Sequence, residues 1–155
     1  MIDTPQIAQS IAQHTAVIHL VIPRHEIQSA MGPAFNELMA ALHDQGVTPA
    51  GAWFSHHLRM DPGIFDFEVG LPVAAPIRPV GRVVPGQRPA RTVLRTVFQG
   101  GYEGLGAAWQ EFDDWVKASG HQTAPDMWEA YVVGPELGPD AAGYRTELNR
   151  PLVDR

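Results

Sequence analysis

One amphipathic helix occurs twice in this chain. Leu105, Ala108, Trp109, Phe112 and Val116 recur at i, i+3, i+4, i+7 and i+11, a single apolar stripe at helical period, and Gly120 follows as a stop. Displaced by about 74 positions, the stripe meets an earlier one. Met31 falls on Leu105, Phe35 on Trp109, Leu38 on Phe112, Leu42 on Val116 and Gly46 on Gly120. The flanking segments repeat too. The β-rich run Ala16–Ile22, closed by Pro23, precedes the first helix, which the pattern places at about Met31 to Gln45; Ala90–Phe98 precedes the second. After the first helix, Ala50–Met60 and Ile64–Val73 form a hairpin around the turn Asp61-Pro62-Gly63. The last strands of the two units share Glu-apolar-x-x-Pro-apolar, at Glu68–Val73 and Glu147–Leu152. A strand, a helix and a hairpin make too small a core alone. The duplication therefore constrains the chain to an α+β class, with two pseudo-symmetric strand-helix-hairpin repeats forming one antiparallel sheet on which both helices pack. The repeats span about 16–73 and 90–152 of one domain, 1–155. Between them, 74–89 is a Pro/Gly-rich connector with a short strand at Gly81–Val84. Residues Met1 to His14 are weakly patterned and are expected to fray or to form one short helix.

Charge and composition remove several function classes. The formal charge is −6 and no basic run occurs, which argues against a nucleic-acid-binding face. With no cysteine there are no disulfides and no thiolate metal sites. The N-terminus lacks a basic segment followed by an apolar one, and no apolar run approaches the roughly eighteen residues of a membrane span, so the expected location is cytoplasmic, with no membrane partner. His56 and His57 are adjacent on a strand and point to opposite faces. The other five histidines show no ligand spacing, so neither a metal nor a cofactor is expected. Gly100–Gly104 precedes a helix but lacks the Gly-Lys-Ser/Thr ending of a phosphate loop. Glu103 would also repel phosphate there, so the segment reads as a strand-to-helix turn.

The chemistry concentrates in the strand Met127–Val133. Its side chains alternate. Trp128, Ala130 and Val132 make one face, expected to carry a helix; Met127, Glu129 and Tyr131 make the other, expected to floor a pocket. Burial raises the pKa of Glu129 unless a donor or a cation compensates. A ligand cation among aromatic faces would compensate, whereas a glutamate left with a raised pKa would serve as a general acid. An exposed, solvated strand glutamate is the plain alternative. Under the repeat, Ser55 and His57 are the counterparts of Glu129 and Tyr131, with Trp53 on the same face. Ser55, His57 and Glu129 do not form a hydrolytic triad by pattern, because no nucleophile elbow surrounds Ser55. Tyr102 is positioned to reach over the pocket mouth. Phe67 and Trp109 complete the candidate walls, although Trp109, Phe112 and Trp115 read first as core. The helix acids Glu111, Asp113 and Asp114 read as a solvated face.

These residues resemble a known family. Thr96-Val97-Phe98-Gln99-Gly100-Gly101-Tyr102-Glu103-Gly104-Leu105, then Trp109 and Trp115, Trp128-Glu129-Ala130-Tyr131, and Arg145–Leu152 look like the GyrI-like small-molecule-binding family, the effector-binding domain also found at the C-terminus of AraC-type and MerR-type multidrug regulators. The resemblance covers about Ala16 to Leu152. It implies a pocket between the two halves, lined by aromatics around an acidic residue and taking bulky apolar, aromatic or cationic organic molecules. The family's pocket glutamate falls on Glu129 and the tyrosine of its motif on Tyr131; the glutamate of the last strand falls on Glu147, whose facing is open. The chain departs from the regulators in having no helix-turn-helix ahead of the domain, which speaks against direct DNA reading. It also departs at Gly100-Gly101-Tyr102, where Gly-Pro-Tyr is usual. Stand-alone relatives resemble binders of toxic organic molecules, hydrolases of cyclopropane-bearing electrophiles in which the pocket glutamate and a tyrosine (here Glu129 and Tyr131) are catalytic, and inhibitors of DNA gyrase. Binding is the expected function, with the hydrolase and then the gyrase inhibitor as alternatives, and a topoisomerase or a regulator as the protein partner to test.

Overall fold

The computed structural model describes residues 2–134 and 141–153. Eight strands, β1 (Gln6–Gln9), β2 (Gln13–Pro23), β3 (Phe54–Asp61), β4 (Ile64–Val73), β5 (Val84–Arg88), β6 (Thr92–Gln99), β7 (Met127–Val133) and β8 (Arg145–Pro151), form one sheet. Helices α1 (Ile27–Asp44) and α2 (Leu105–Ser119) pack on one face of it. The strand order is β1-β6-β8-β7-β3-β4-β2-β5 and every pairing is antiparallel.

That order reads the same from both edges, with a pseudo-two-fold between β3 and β7. At the centre Ser55 pairs with Glu129, the two positions that the helix repeat superposes. Each half has its own core. Leu38, Ala41 and Leu42 of α1 close on Ile18, Phe67 and Val69; Ala108, Phe112 and Val116 of α2 close on Leu94, Phe98 and Leu148. The stripe ends as expected, with Gly120 in the left-handed conformation at φ 77°.

Four local expectations are corrected. Residues 6–9 are neither frayed nor helical: they form β1 and pair with β6, whose ladder supplies the hydrogen bonds that this short polar segment could not satisfy alone. The connector strand is Val84–Arg88 rather than 81–84. It includes Pro85 because it lies at the sheet edge beside β2, where a missing N–H is tolerated. Helix α1 begins at Ile27 rather than at about Met31, which puts Pro33 inside it. The extra N-terminal turn is held by Ile27 and Met31 against the first core. Finally, the helices do not sit on the Trp128 face of β7 but on the face of Met127, Glu129 and Tyr131. Trp128 is buried on the reverse face under the Arg88 guanidinium at 4.9 Å, edge-on to His56. Trp128 is buried without a helix over it, while Val132 farther along the strand is exposed, so the apolar character of Trp128 does not mark the helix side.

Before α2, Gly101 has φ −68° and ψ 159°, a backbone that proline adopts without strain. Gly101→Pro is expected to stabilise the fold by about 0.5–1 kcal/mol by restricting the unfolded chain, the atoms nearest an added Cβ being those of the exposed Glu103 side chain, which can turn away. Urea denaturation of the two proteins checks this, and a lower midpoint for the variant would refute it.

Candidate functional site

Between α1 and α2, over the seam of β3 and β7, lies a cavity of about 770 Å³. Its floor is Met127, Glu129 and Tyr131 of β7, His57 of β3 and the adjacent Trp53. Ile27, Gln28 and Met31 wall it from α1, and Leu105, Gly106, Trp109 and Asp113 from α2. Arg24, Phe65, Tyr102 and Arg150 complete it. The aromatic groups brace one another. Trp53 lies 4.8 Å from Tyr131 and 4.7 Å from Phe35, and Tyr102 stands edge-on to Tyr131 at 5.7 Å.

At the floor a single polar chain converges on Glu129. Trp109 Nε1–H donates to Glu129 Oε2 at 2.5 Å, and Tyr131 O–H donates to Oε1 at 2.8 Å. With its proton committed to Glu129, the Tyr131 oxygen accepts from Ser55 Oγ at 2.7 Å. Ser55 in turn lies 3.4 Å from His57 Nε2, which fits the tautomer that carries its proton there. Every donor in this chain points toward the carboxylate. Burial still pushes the pKa of Glu129 up, against the pull of the Trp109 and Tyr131 hydrogen bonds, and pushes the Tyr131 phenol well above its ordinary range. An ionised Glu129 here has donors but no positive partner within salt-bridge distance among the described residues.

His57 is stacked on Phe67 at 5.0 Å and set edge-on to Phe65. Burial, with the nearby charges of His56 and Arg24, lowers its pKa to about 4, so the ring is neutral at pH 7. The strand itself is anchored just before its start. Asp126 accepts from Arg91 at 2.6 and 3.1 Å and from His56 Nε2 at 2.7 Å, and although burial opposes ionisation these partners hold its carboxyl far below the usual range.

The cavity brings together Trp53, His57, Tyr102, Trp109, Glu129 and Tyr131 of the sequence candidates. Ser55 and Phe67 are fully buried beneath them, Ser55 within the polar chain and Phe67 under the His57 ring. Glu147 is not part of the cavity. It pairs across from Ala130 and so faces the reverse side of the sheet, beside Arg95 at 3.4 Å and Asn149 at 3.3 Å. Trp109 is both core and wall: its ring packs on Phe112 while its indole N–H holds Glu129. Asp113 is no part of a solvated acidic face. It lines the cavity, paired with Arg150 at 3.3 Å. Sequence reasoning missed Arg24, Met31, Phe65 and the Asp113–Arg150 pair, but it placed Met127 on the pocket floor, where it lies. The alternation in β7 already put Met127 beside Glu129, whereas Arg24 lay in a stretch with no clear pattern.

Residues 4–152 match the family described as the GyrI-like small molecule binding domain. Among solved structures, the EcmrR C-terminal domain superposes with a TM-score of 0.85 at 19% identity, covering 98% of each chain. EcmrR bound to DNA superposes equally well, and there this chain spans only 58% of the EcmrR chain. SAV2435 bound to tetraphenylphosphonium gives a TM-score of 0.75 at 12% identity, covering 97% of this chain and 94% of that one. A hydrolase from Listeria innocua gives 0.61 at 10% identity, covering 96% and 91%. At these identities the likeness is one of fold. The comparison with curated proteins returned no match.

Proposed function

As the chain belongs to the GyrI-like small-molecule-binding family, we propose that its cavity takes a bulky aromatic organic molecule, with Glu129 selecting for positive charge. The observation that carries this is the buried Glu129 carboxylate, held by Trp109 and Tyr131 at the floor of a 770 Å³ aromatic cavity with no cationic partner of its own among the described residues. Apolar burial against Trp53, Met31, Leu105 and Tyr102 supplies most of the binding energy. A delocalised cation seated on the floor meets the carboxylate and the faces of Trp53 and Tyr131 together. The SAV2435 structure holds such a cation, tetraphenylphosphonium, on the same fold.

The test uses two planar dyes of nearly one shape: 10-methylacridinium, a permanent cation, and acridine, neutral at pH 8. Saturable one-to-one binding with the cation bound more tightly, and with both dyes recovered unchanged, is the expected result. Binding raises the melting temperature with the logarithm of the ligand excess over Kd. Equal affinity for the two dyes would remove the electrostatic part of the reading.

A second reading, hydrolysis of a strained electrophile such as a cyclopropanoid, is favoured by one feature. Glu129, pushed up by burial, lies against the Tyr131 hydroxyl, a base and a proton donor on one floor. Each oxygen of Glu129 already accepts a hydrogen bond, from Trp109 or Tyr131, so an attacking water has to use a second lone pair. Recovery of a cyclopropane substrate as its ring-opened hydration product, abolished by Glu129→Gln, would establish this reading.

A further inference from the structure

The two ends of the cavity are related by the internal two-fold, yet the duplication breaks at its charged positions. In the second half, the 3-10 turn Tyr102–Gly104 starts α2 with Tyr102, and the floor position is Glu129. In the first half, the corresponding turn Arg24–Glu26 starts with Arg24, and the floor position is Ser55. The carboxylate at the seam therefore belongs to one half and the guanidinium to the other. The other charged pair on the wall, Asp113 and Arg150, neutralises itself.

Arg24 is not neutralised. Its guanidinium lies over the Phe65 ring, 4.5 Å from the centroid, and Nη2 donates to the Asp61 carbonyl at 3.0 Å. Among the described residues no carboxylate lies within ion-pair distance of it and it makes no other side-chain hydrogen bond. The ring beneath and the Asp61 carbonyl fix the plane of the fork, leaving its remaining N–H groups uncommitted in the cavity wall. A planar, oriented guanidinium of this kind is matched by a carboxylate, which takes two of its N–H groups at once.

We propose that the ligand is amphoteric: an aromatic body with a cationic group at Glu129 and a carboxylate at Arg24. This rests on the cavity being the binding site. A ligand of that kind spans the β3–β7 seam and meets opposite charges in the two halves, where a simple cation meets attraction at one end and repulsion at the other.

Tetramethylrhodamine, a zwitterion with a free carboxylate, and its methyl ester, a cation of nearly the same shape, separate the two cases by fluorescence anisotropy. Wild type is expected to bind the zwitterion about tenfold more tightly than the ester. Arg24→Met is expected to erase that preference by weakening the zwitterion about tenfold, with the ester held within about twofold. Arg24→Lys, which keeps the charge, retains part of the preference. The wild-type comparison and Arg24→Lys carry the test if Arg24→Met does not fold. A wild-type preference for the ester, or equal weakening of both dyes by Arg24→Met, overturns the proposal. Ester binding that Glu129→Gln weakens, without any preference for the zwitterion, overturns it alone and leaves the cavity as the binding site. No saturable binding of either dye overturns both.

Discussion

Glu129→Gln is expected to make the ligand-free protein more stable at pH 8 while weakening 10-methylacridinium on the order of 100-fold and acridine by less than about threefold. The two effects have one cause. Glu129 is desolvated with only neutral donors around it, and burial raises its pKa. The folded chain thus holds the Glu129 proton more tightly than the unfolded chain does. The stability from this group is greatest below the ordinary glutamate range and is lost as pH rises through the raised folded value. At pH 8, far above the ordinary glutamate range, this penalty weighs on wild type and is absent in the variant. The glutamine carbonyl still accepts from Trp109 and its amide donates to Tyr131, whose proton then turns to Ser55. A gain on the order of 1 kcal/mol, a few degrees in melting temperature, follows. The bound cation loses its buried counter-charge, whereas neutral acridine loses only contacts that glutamine largely replaces. Thermal melts and fluorescence titrations of both proteins check the pair of effects. A destabilised apo variant, or an equal loss for both dyes, would refute the account.

His57→Phe is expected to remove most of the acid sensitivity between pH 6.5 and 4. The His57 ring is pressed between Phe65 and Phe67 and stays neutral in the fold down to about pH 4, while the unfolded chain protonates it near 6.5. The unfolded state therefore binds more protons in this window. The stability contribution is intact above pH 6.5, declines as pH falls, and is fully lost below about 4, a total of roughly 3 kcal/mol. A phenyl ring fits the same aromatic slot and does not titrate. Its cost is the Ser55 contact, about 1 kcal/mol at neutral pH. In urea unfolding across this range, the stability difference between variant and wild type should shift by about 3 kcal/mol in favour of the variant. Glu129 titrates in the opposite sense in both proteins and so cancels from the difference. Parallel pH curves would show that His57 is not the sensor.

What the sequence makes legible here is whatever has a period. The α2 stripe and its Gly120 stop need only counting, and the superposition of Gly46 on Gly120 already sets Ser55 against Glu129 across the pseudo-dyad, where the fold pairs β3 with β7. The alternation of β7 groups Met127, Glu129 and Tyr131. It cannot say which group meets the helices, because Trp128 on the other side is buried as well. Glu147 is a register question of the same type, decided only by its pairing opposite Ala130. β1 and β5 escape because their residues have little strand preference of their own and are ordered by the neighbouring ladders. Arg24 escapes because its meaning depends on a symmetry mate, Tyr102, and on Phe65, which arrives from another strand.

The edge strands carry a last consequence. β1 belongs to the first half by sequence yet closes the outer edge of the second, and β5, which leads into the second half, closes the outer edge of the first. Each half thus wears a strap supplied by the other, in addition to the seam of β3 and β7. Three separate zippers would have to open before the halves could hinge or slide. The floor that holds Glu129 and His57 is accordingly a fixed bed. If the cavity binds as proposed, ligands of different thickness would be accommodated from above, by α1 and α2 riding on long, pliable side chains such as Met31 and Leu105. On that reading breadth of recognition would reside in the roof, and charge discrimination in the foundation.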